Sequence, residues 1–593
     1  MTTQTSGSGR RSAAPPASHF AAVALPPPAS HVAAVALLAG GGIAYEIALT
    51  RLLSALLAYA WVAPVLAVAL LGVGLGAALV TASPRLRAPT AAQAFAGLAA
   101  VSAVLALPAW LWAVASSTPL LGLAMPLVAY TCLGAATAAV LSWHPPSAAS
   151  LLRADYGAAA VAAAVTPWLL STLGLGVPGT MVLIALAPGL AAVALWRSGS
   201  REIPGGPALG SNAALAASLL GLAAVPLGVL ALAVGSLSVD PAAHMSSKPV
   251  SLALARGGTV VTTRWDATAR TDLIRTPDGA RYLYMDGGAG SLVATSDPAA
   301  WWTDVGAFAF AIAPAESAFL IGPGGGLDVA QARAHGVERV TAVEVNAASV
   351  DLVRRLGAAT GRVYDDPTRV VIGDGRRVLA QGDEAYDVIT LANVVTGAAE
   401  LRGAALTESL VYTVEAFREY LSHLEPDGRL ALKLYDELTL TRALATALAA
   451  LVSGGYAENE AAAMSHLFAV LDVSDSAAVP LLVVRRKPFT PQEAVSAARV
   501  AEARGWSLLL VPGLLTPPPL RPLAEGRSDL GELVAATDAD IAPTHDASPY
   551  FFSFEPGVPR PVRRLGIVAV VALALLVAGA LKVGRSGGKG VAR

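Results

Sequence analysis

Between residues 31 and 236 the chain is a succession of long apolar stretches separated by short polar loops. No other feature limits its folding as strongly. A helix needs about 20 apolar residues to cross the hydrocarbon layer of a bilayer. The stretches 31–58, 61–83, 91–115, 119–142, 154–173, 179–196 and 212–236 fall in that range. They are rich in Ala and Gly, which lets helices pack closely in lipid. An α-helical membrane bundle is therefore expected, with the bilayer as its first partner. A further apolar run, 565–584, is flanked by Arg563 and Arg564 before it and by Lys582 and Arg585 near its end. It reads as a C-terminal transmembrane helix with interfacial anchors. Only 14% of residues are charged, against about 25% in soluble domains, and the apolar excess lies in these two regions.

The remainder divides by composition. Residues 1–30, rich in Ser, Ala and Pro, cannot build a packed core and read as a disordered tail. They lack an uninterrupted apolar run before a cleavage site, so no signal peptide is expected. From 240 to 562 charged residues return, and strand and helix patterns alternate. A small β-rich part is expected over 240–310 and a larger α/β part over 311–562. The net charge of −1 gives no reason to expect a nucleic-acid partner. The one cysteine, Cys132, lies in an apolar run. It reads as lipid-facing or core filler, because reactive thiols need a polar, electropositive setting. No His, Cys and carboxylate spacing suggests a metal site.

Within the first apolar stretch stands Tyr45-Glu46-Ile47-Ala48-Leu49-Thr50-Arg51. Ionisable groups inside a span are costly and are paired or functional. Glu46 and Arg51 are five apart, an awkward spacing for a pair on one helix. Asp155, near the start of another span, is a candidate partner for Arg51. The segment reads as a polar network fixing helix packing, a substrate or ion pathway, or an interfacial group.

The chemistry-bearing motif begins at Ser317. The apolar run Ala318–Ile321 suits a buried parallel strand. It leads into Gly322-Pro323-Gly324-Gly325-Gly326-Leu327-Asp328 and then a helical stretch to about Ala334. Glycines permit a tight strand-to-helix turn and close approach of a ligand to the backbone, and a helix N-terminus offers free N–H groups. A second strand, Arg339–Val345, ends near Glu344, 22 residues beyond Gly322. An acid at that separation is placed to accept hydrogen bonds from ribose hydroxyls. A third strand, Arg369–Ile372, precedes Gly373-Asp374-Gly375. Asp374 is either an acceptor for an adenine amine or a helix N-cap. In the next strand, 386–391, Asp387 reads as a structural residue at the strand start. A helical stretch over about 407–424 and the strand Arg429–Leu434 follow. Strands alternating with helices imply a parallel sheet covered on both faces.

At these residues the chain resembles the spermidine synthase-like branch of the class I methyltransferase superfamily. More narrowly, it is similar to bacterial membrane proteins that fuse multispan helices to such a domain. The matching stretches are Leu320–Asp328, Val340–Val345, Val371–Gly375, Tyr412–Tyr420, Leu424–Gly428 and the hairpin segment Tyr282–Gly287. Tyr45–Ser54 and Asp546–Phe552 match the membrane fusions. The resemblance implies a Rossmann-like fold and a nucleoside co-substrate, S-adenosylmethionine or its decarboxylated form, with no metal. It implies that Gly322, Gly324 and Gly326 lie beside the amino acid or aminopropyl portion, that Glu344 binds ribose, and that Asp374 binds adenine. The chain departs from the family after the strand 386–391. Polyamine synthases carry an Asp-rich segment there that binds and deprotonates the amine, whereas this chain has Thr390-Leu391-Ala392-Asn393-Val394-Val395-Thr396. Asn393 can orient a substrate but is no general base, and the next carboxylate is Glu400. Asp286 and Asp304 are amine-binding candidates that read more readily as turn or surface residues.

Three functions follow. The first is a membrane-bound transferase, an aminopropyltransferase or a methyltransferase, acting on a polyamine or a lipophilic acceptor. The second is a transporter-like protein whose domain senses a nucleoside. The third is a domain with a structural role. A nicotinamide dehydrogenase fits the glycine spacing less well. The oligomeric state stays open, a homo-oligomer included. Arg85 and Arg87, Arg153, and Arg197 with Arg201 fall in alternate loops, which assigns those loops and the amino terminus to the cytoplasm. Seven full crossings would then put 240–562 outside. A cytosolic nucleoside argues instead for a cytoplasmic domain in a bacterial inner-membrane protein. The first segment, interrupted by Glu46 and Arg51, is then the one expected not to cross.

Overall fold

The computed structural model describes residues 26–57, 62–172, 175–198, 212–235, 237–246, 248–288, 290–297, 301–302, 304–394, 408–473, 478–555 and 557, with isolated positions between 563 and 574. Residues 1–25 of the expected tail, most of the apolar run 565–584, and Val395, Thr396 and Glu400 lie outside the described residues.

The first half is helical: Ala29–Leu56, Val62–Ala82, Pro89–Ala115, Ala124–Trp143, Ala148–Thr172, Gly176–Ile184 continuing into Leu186–Ser198, and Asn212–Ala233. Among the described residues six helices are long and apolar enough to cross a membrane, and Leu66–Ala82 is a shorter apolar helix. Small residues let them touch: a Cβ on Gly221 would stand 2.9 Å from the Gly97 carbonyl oxygen. Beside that contact Gln93 donates to Ser218 Oγ at 2.9 Å. Such backbone proximity is how helices associate where lipid removes the hydrophobic drive. The first segment is an unbroken helix of 28 residues, about 42 Å long at 1.5 Å per residue. Glu46 and Arg51 therefore do not interrupt it, contrary to the sequence expectation.

The second half holds two sheets. Strands β1 (Thr259–Trp265), β2 (Arg270–Arg275), β3 (Arg281–Met285) and β4 (Gly290–Leu292) form an antiparallel sheet in sequential order. The larger sheet contains β5 (Ser317–Ile321), β6 (Arg339–Glu344), β7 (Arg369–Ile372), β8 (Tyr386–Ala392), β9 (Leu424–Lys433), β10 (Leu467–Asp472), β11 (Val479–Arg485) and β12 (Ser507–Leu510). Its order is β12-β10-β11-β9-β8-β5-β6-β7. Pairing is parallel from β9 through β8, β5 and β6 to β7, and antiparallel among β9, β11, β10 and β12. Alternate residues of the parallel strands point to opposite faces. Phe319, Ile321, Val343, Ile389 and Leu391 pack with helices Val414–Ser422 and Glu437–Ser453. Ala318, Leu320, Ala342 and Val388 pack with Leu327–Ala334, Ala347–Leu356 and Pro491–Ala503. Both faces are covered, which is why these strands read as nearly continuous apolar runs.

Bundle and sheets meet at Arg51. Its guanidinium donates to Asp286 Oδ2, to Ser54 Oγ and to the Thr268 carbonyl. Asp286 is 1% exposed, has φ +47°, and accepts the Arg270 N–H at 2.8 Å. Lys248 Nζ donates to the Ser54 carbonyl at 3.1 Å. Asp155 is not the partner of Arg51. It lies near the start of Ala148–Thr172, whose other end reaches the sheet domain through the Ala267 N–H donating to Ser171 Oγ at 3.0 Å. Burial pushes the Asp286 carboxyl up, and Arg51 opposes that shift.

Removing one partner of a buried pair costs about 3–5 kcal/mol, because a charge is left without compensation. Arg51→Ala should lower the thermal midpoint in detergent far more than Arg51→Lys. Its deficit should grow with pH: a buried carboxyl held above its unfolded value is destabilising once the pH exceeds that value.

Candidate functional site

The carboxyl ends of β5 and β6 converge on the glycine turn. Gly322, Gly324 and Gly326 all have positive φ, at 65°, 48° and 86°. Gly326 is the N-cap of helix Leu327–Ala334 in the left-handed conformation, and a Cβ there would stand 2.6 Å from Val363 Cγ2. Both the dihedral and the space exclude a larger residue. The turn closes through the Gly326 N–H donating to the Pro323 carbonyl at 2.8 Å.

Glu344, the last residue of β6, faces this turn. Its Oε2 accepts the Gly324 N–H at 3.0 Å and its Oε1 accepts the Asn346 N–H at 2.9 Å. It is 2% exposed. Burial pushes its carboxyl up while the N–H groups of Asn346, Gly324 and Val345 oppose the shift. The turn is gripped elsewhere too. Tyr364 Oη donates to the Gly324 carbonyl at 2.7 Å, and the Gly325 N–H donates to Ser291 Oγ at 2.9 Å. The Ala294 N–H donates to the Gly325 carbonyl at 2.9 Å. The hairpin β3–β4 thus lies directly on the turn, so a ligand reaching Glu344 must share its carboxylate with the Gly324 N–H.

Asp374 is the exposed N-cap of helix Gly375–Ala380 and accepts the Arg377 N–H at 2.8 Å. Glu344 pairs with Ile372 across β6 and β7, so the two acids end neighbouring strands. Asn393 follows β8 at φ +50°. Its N–H donates to the Lys433 carbonyl at 3.0 Å, its carbonyl accepts Tyr435 Oη at 2.6 Å, and its Oδ1 is buried without a hydrogen-bond partner. Asp387 accepts from the N–H groups of Glu316 and Ser317 at 2.9 and 3.0 Å, a tie between the starts of β8 and β5. Asp286, a candidate amine-binding group that read more readily as a turn residue, has its oxygens taken by Arg51, Ser54 and the Arg270 N–H. Its role in this structure is docking.

Asp304, the other amine-binding candidate, belongs to a largely buried charged cluster whose other members the sequence did not single out. Asp304 pairs with Lys433 at the end of β9 and caps the turn Val305–Ala307. Asp328, 8% exposed, stands beside them. Burial opposes ionisation of Asp304, but Lys433, the Gly306 N–H and Gln331 together outweigh it and hold the carboxyl below its ordinary range. For Asp328 burial wins over Lys433, and its carboxyl is pushed up to about 6. Asp328 was visible in the motif only as a first-turn acid. Nothing in the spacing tied it to Lys433, 105 residues on.

Beyond Tyr435 lies a cavity of about 780 Å3, lined mainly by apolar side chains including Leu440, Leu444, Leu471, Leu520 and Ile541. The segment Asp546–Phe552 closes this side of the domain. Asp546 pairs with Arg376 at 2.7 Å, Phe551 stacks on Tyr412 at 4.4 Å, and buried Arg442 donates to the carbonyls of Tyr550, Phe551 and Ser553. Among the described residues no group of three or more His, Cys, Asp or Glu has metal-holding geometry.

No family model matches the chain, and no curated protein matches it. Solved spermidine synthases are similar in structure. The enzyme from Thermotoga maritima is 16% identical with a TM-score of 0.30, over 40% of this chain and 74% of that one. A spermidine synthase in complex with the transition-state analogue AdoDATO is 16% identical with a TM-score of 0.31, over 40% and 76%. A probable spermidine synthase from Corynebacterium glutamicum ATCC 13032 is 19% identical with a TM-score of 0.34, over 46% and 96%. Likeness at this level carries no functional argument, so function has to be read from the residues of the site. Those residues and the helices define a protein with an apolar helical bundle and a mixed α/β sheet domain.

A carboxyl whose folded value lies above its unfolded one stabilises the fold only at low pH, and that contribution is lost as the pH rises. For Asp328 the window runs from about 4 to about 6, and the loss is of the order of 3 kcal/mol. The thermal midpoint of the parent should fall between pH 4 and pH 7 relative to Asp328→Asn, which removes the titration.

Proposed function

We propose that the α/β domain is a Rossmann-like, spermidine synthase-like unit that binds an adenosyl sulfonium, S-adenosylmethionine or its decarboxylated form. One observation carries the reading: the Glu344 carboxylate lies 3.0 Å from the Gly324 N–H, across the turn between β5 and its helix. A carboxylate so placed has lone pairs left for a ribose diol. On this reading the turn lets the sulfonium side chain approach the backbone, and Asp374, which ends the next strand and caps a helix, is assigned to the adenine.

Transfer from such a donor is displacement at a carbon attached to the positive sulfur, so the chain's contribution is mainly positioning. The acceptor we favour is a lipophilic molecule rather than a polyamine. The cavity beyond Tyr435 is apolar, and the position that would carry an amine-binding acid holds Asn393. A second reading, a domain that captures or senses the nucleoside without turnover, is supported by the same Asn393, whose buried Oδ1 has no partner and which cannot deprotonate an amine.

Calorimetry on the full chain in detergent tests the site. Glu344→Gln should weaken binding of S-adenosylmethionine or its decarboxylated form by about 10- to 100-fold, the loss of a charged acceptor. Asn393→Ala should leave binding within about 2-fold of the parent while altering any turnover. Equal affinity of Glu344→Gln and parent would remove the nucleoside assignment.

A further inference from the structure

The bundle has two chemically different ends. One touches the sheet domain. Arg51, near the end of Ala29–Leu56, binds Asp286. Ser171, at the end of Ala148–Thr172, accepts the Ala267 N–H. Gly176, which opens the next helix, packs against the Trp265 ring. The other end gathers the opposite termini of the same helices. His31, at the start of Ala29–Leu56, meets His144 at 2.8 Å, and Trp143 Nε1 donates to the Arg87 carbonyl. Arg85 and Arg87 follow Val62–Ala82, Arg153 opens Ala148–Thr172, and Arg197 closes Leu186–Ser198.

The connections at the domain end, 57–61, 116–123 and 173–175, contain no Lys or Arg, and after the last span the first cation is Lys248, which donates to the Ser54 carbonyl at the docking face. Arg51 is the cation at that end of the first helix, and it is neutralised by Asp286. Arg85 and Arg87 stand in a short connection, and Arg153 and Arg197 in the end turns of their helices, close to the span ends, where Lys and Arg fix orientation most strongly. The first helix runs unbroken from the arginine end to the domain end, so no crossing is lost.

We infer that the α/β domain lies on the non-cytoplasmic face of the membrane, opposite the arginine-bearing loops. The domain then meets ligands of the outer compartment. A nucleoside made in the cytoplasm reaches Glu344 only after it has crossed the bilayer, and of the two readings above, capture or sensing of an exported nucleoside gains over transfer chemistry fed from the cytosol. The inference rests on the spanning of the bundle and not on the identity of the ligand, so either can fail without the other.

Single cysteines in the full chain, in a Cys132→Ala background, test it with a membrane-impermeant maleimide on intact cells. Ser453→Cys, at an exposed position on the domain, and Pro146→Cys, at the arginine end, replace surface residues that neither line the site nor join the two halves. Labelling of both after permeabilisation establishes that each thiol reacts. Labelling of Ser453→Cys but not Pro146→Cys in intact cells is expected. The reverse pattern, or protection of both, overturns the inference. A second readout avoids cysteine chemistry: an alkaline phosphatase fusion after residue 245 should be active and a fluorescent-protein fusion there dark, and the opposite result also overturns it.

Discussion

The Arg51–Asp286 pair is the contact on which the rest of the molecule depends. An arginine near the end of an apolar helix is costly unless it finds an anion. A carboxylate that is 1% exposed is equally costly without a cation. Each resolves the other's problem, and the solution requires bundle and sheet domain to dock in one orientation. The left-handed conformation of Asp286 shows how closely the hairpin is shaped to this task.

The hairpin that provides Asp286 also holds the glycine turn. Five residues beyond Asp286, Ser291 accepts the Gly325 N–H, and Ala294 donates to the Gly325 carbonyl. The turn is clamped from its other side by Glu344 and Tyr364. A run of hydrogen-bonded groups therefore joins the first apolar helix to the glycine turn.

Local patterns made much of this legible. Strand β5, the glycine turn, its helix and β6 were readable because each element has its own periodicity and because an acid about 20 residues beyond such a turn has a geometric meaning. The order of the apolar stretches was equally plain. What stayed hidden were pairings between distant segments. Arg51 and Asp286 are 235 residues apart, so Asp155 seemed the nearer partner although it lies toward the other end of its helix. The Asp304–Lys433–Asp328 cluster is assembled from three elements that no spacing rule connects. The continuity of the first helix through Glu46 and Arg51 is not legible either, because Arg51 looks like a break in an apolar run when it marks the point where the helix meets the sheet domain.

One hairpin connects Arg51 of the first helix to the glycine turn. Hydrogen exchange on the Arg51→Ala protein measures this directly. Amides of 285–292 and of 322–327 should both exchange faster than in the parent, while those of β8 and β9 keep their protection. Faster exchange confined to 285–292, with the glycine turn unchanged, would contradict it.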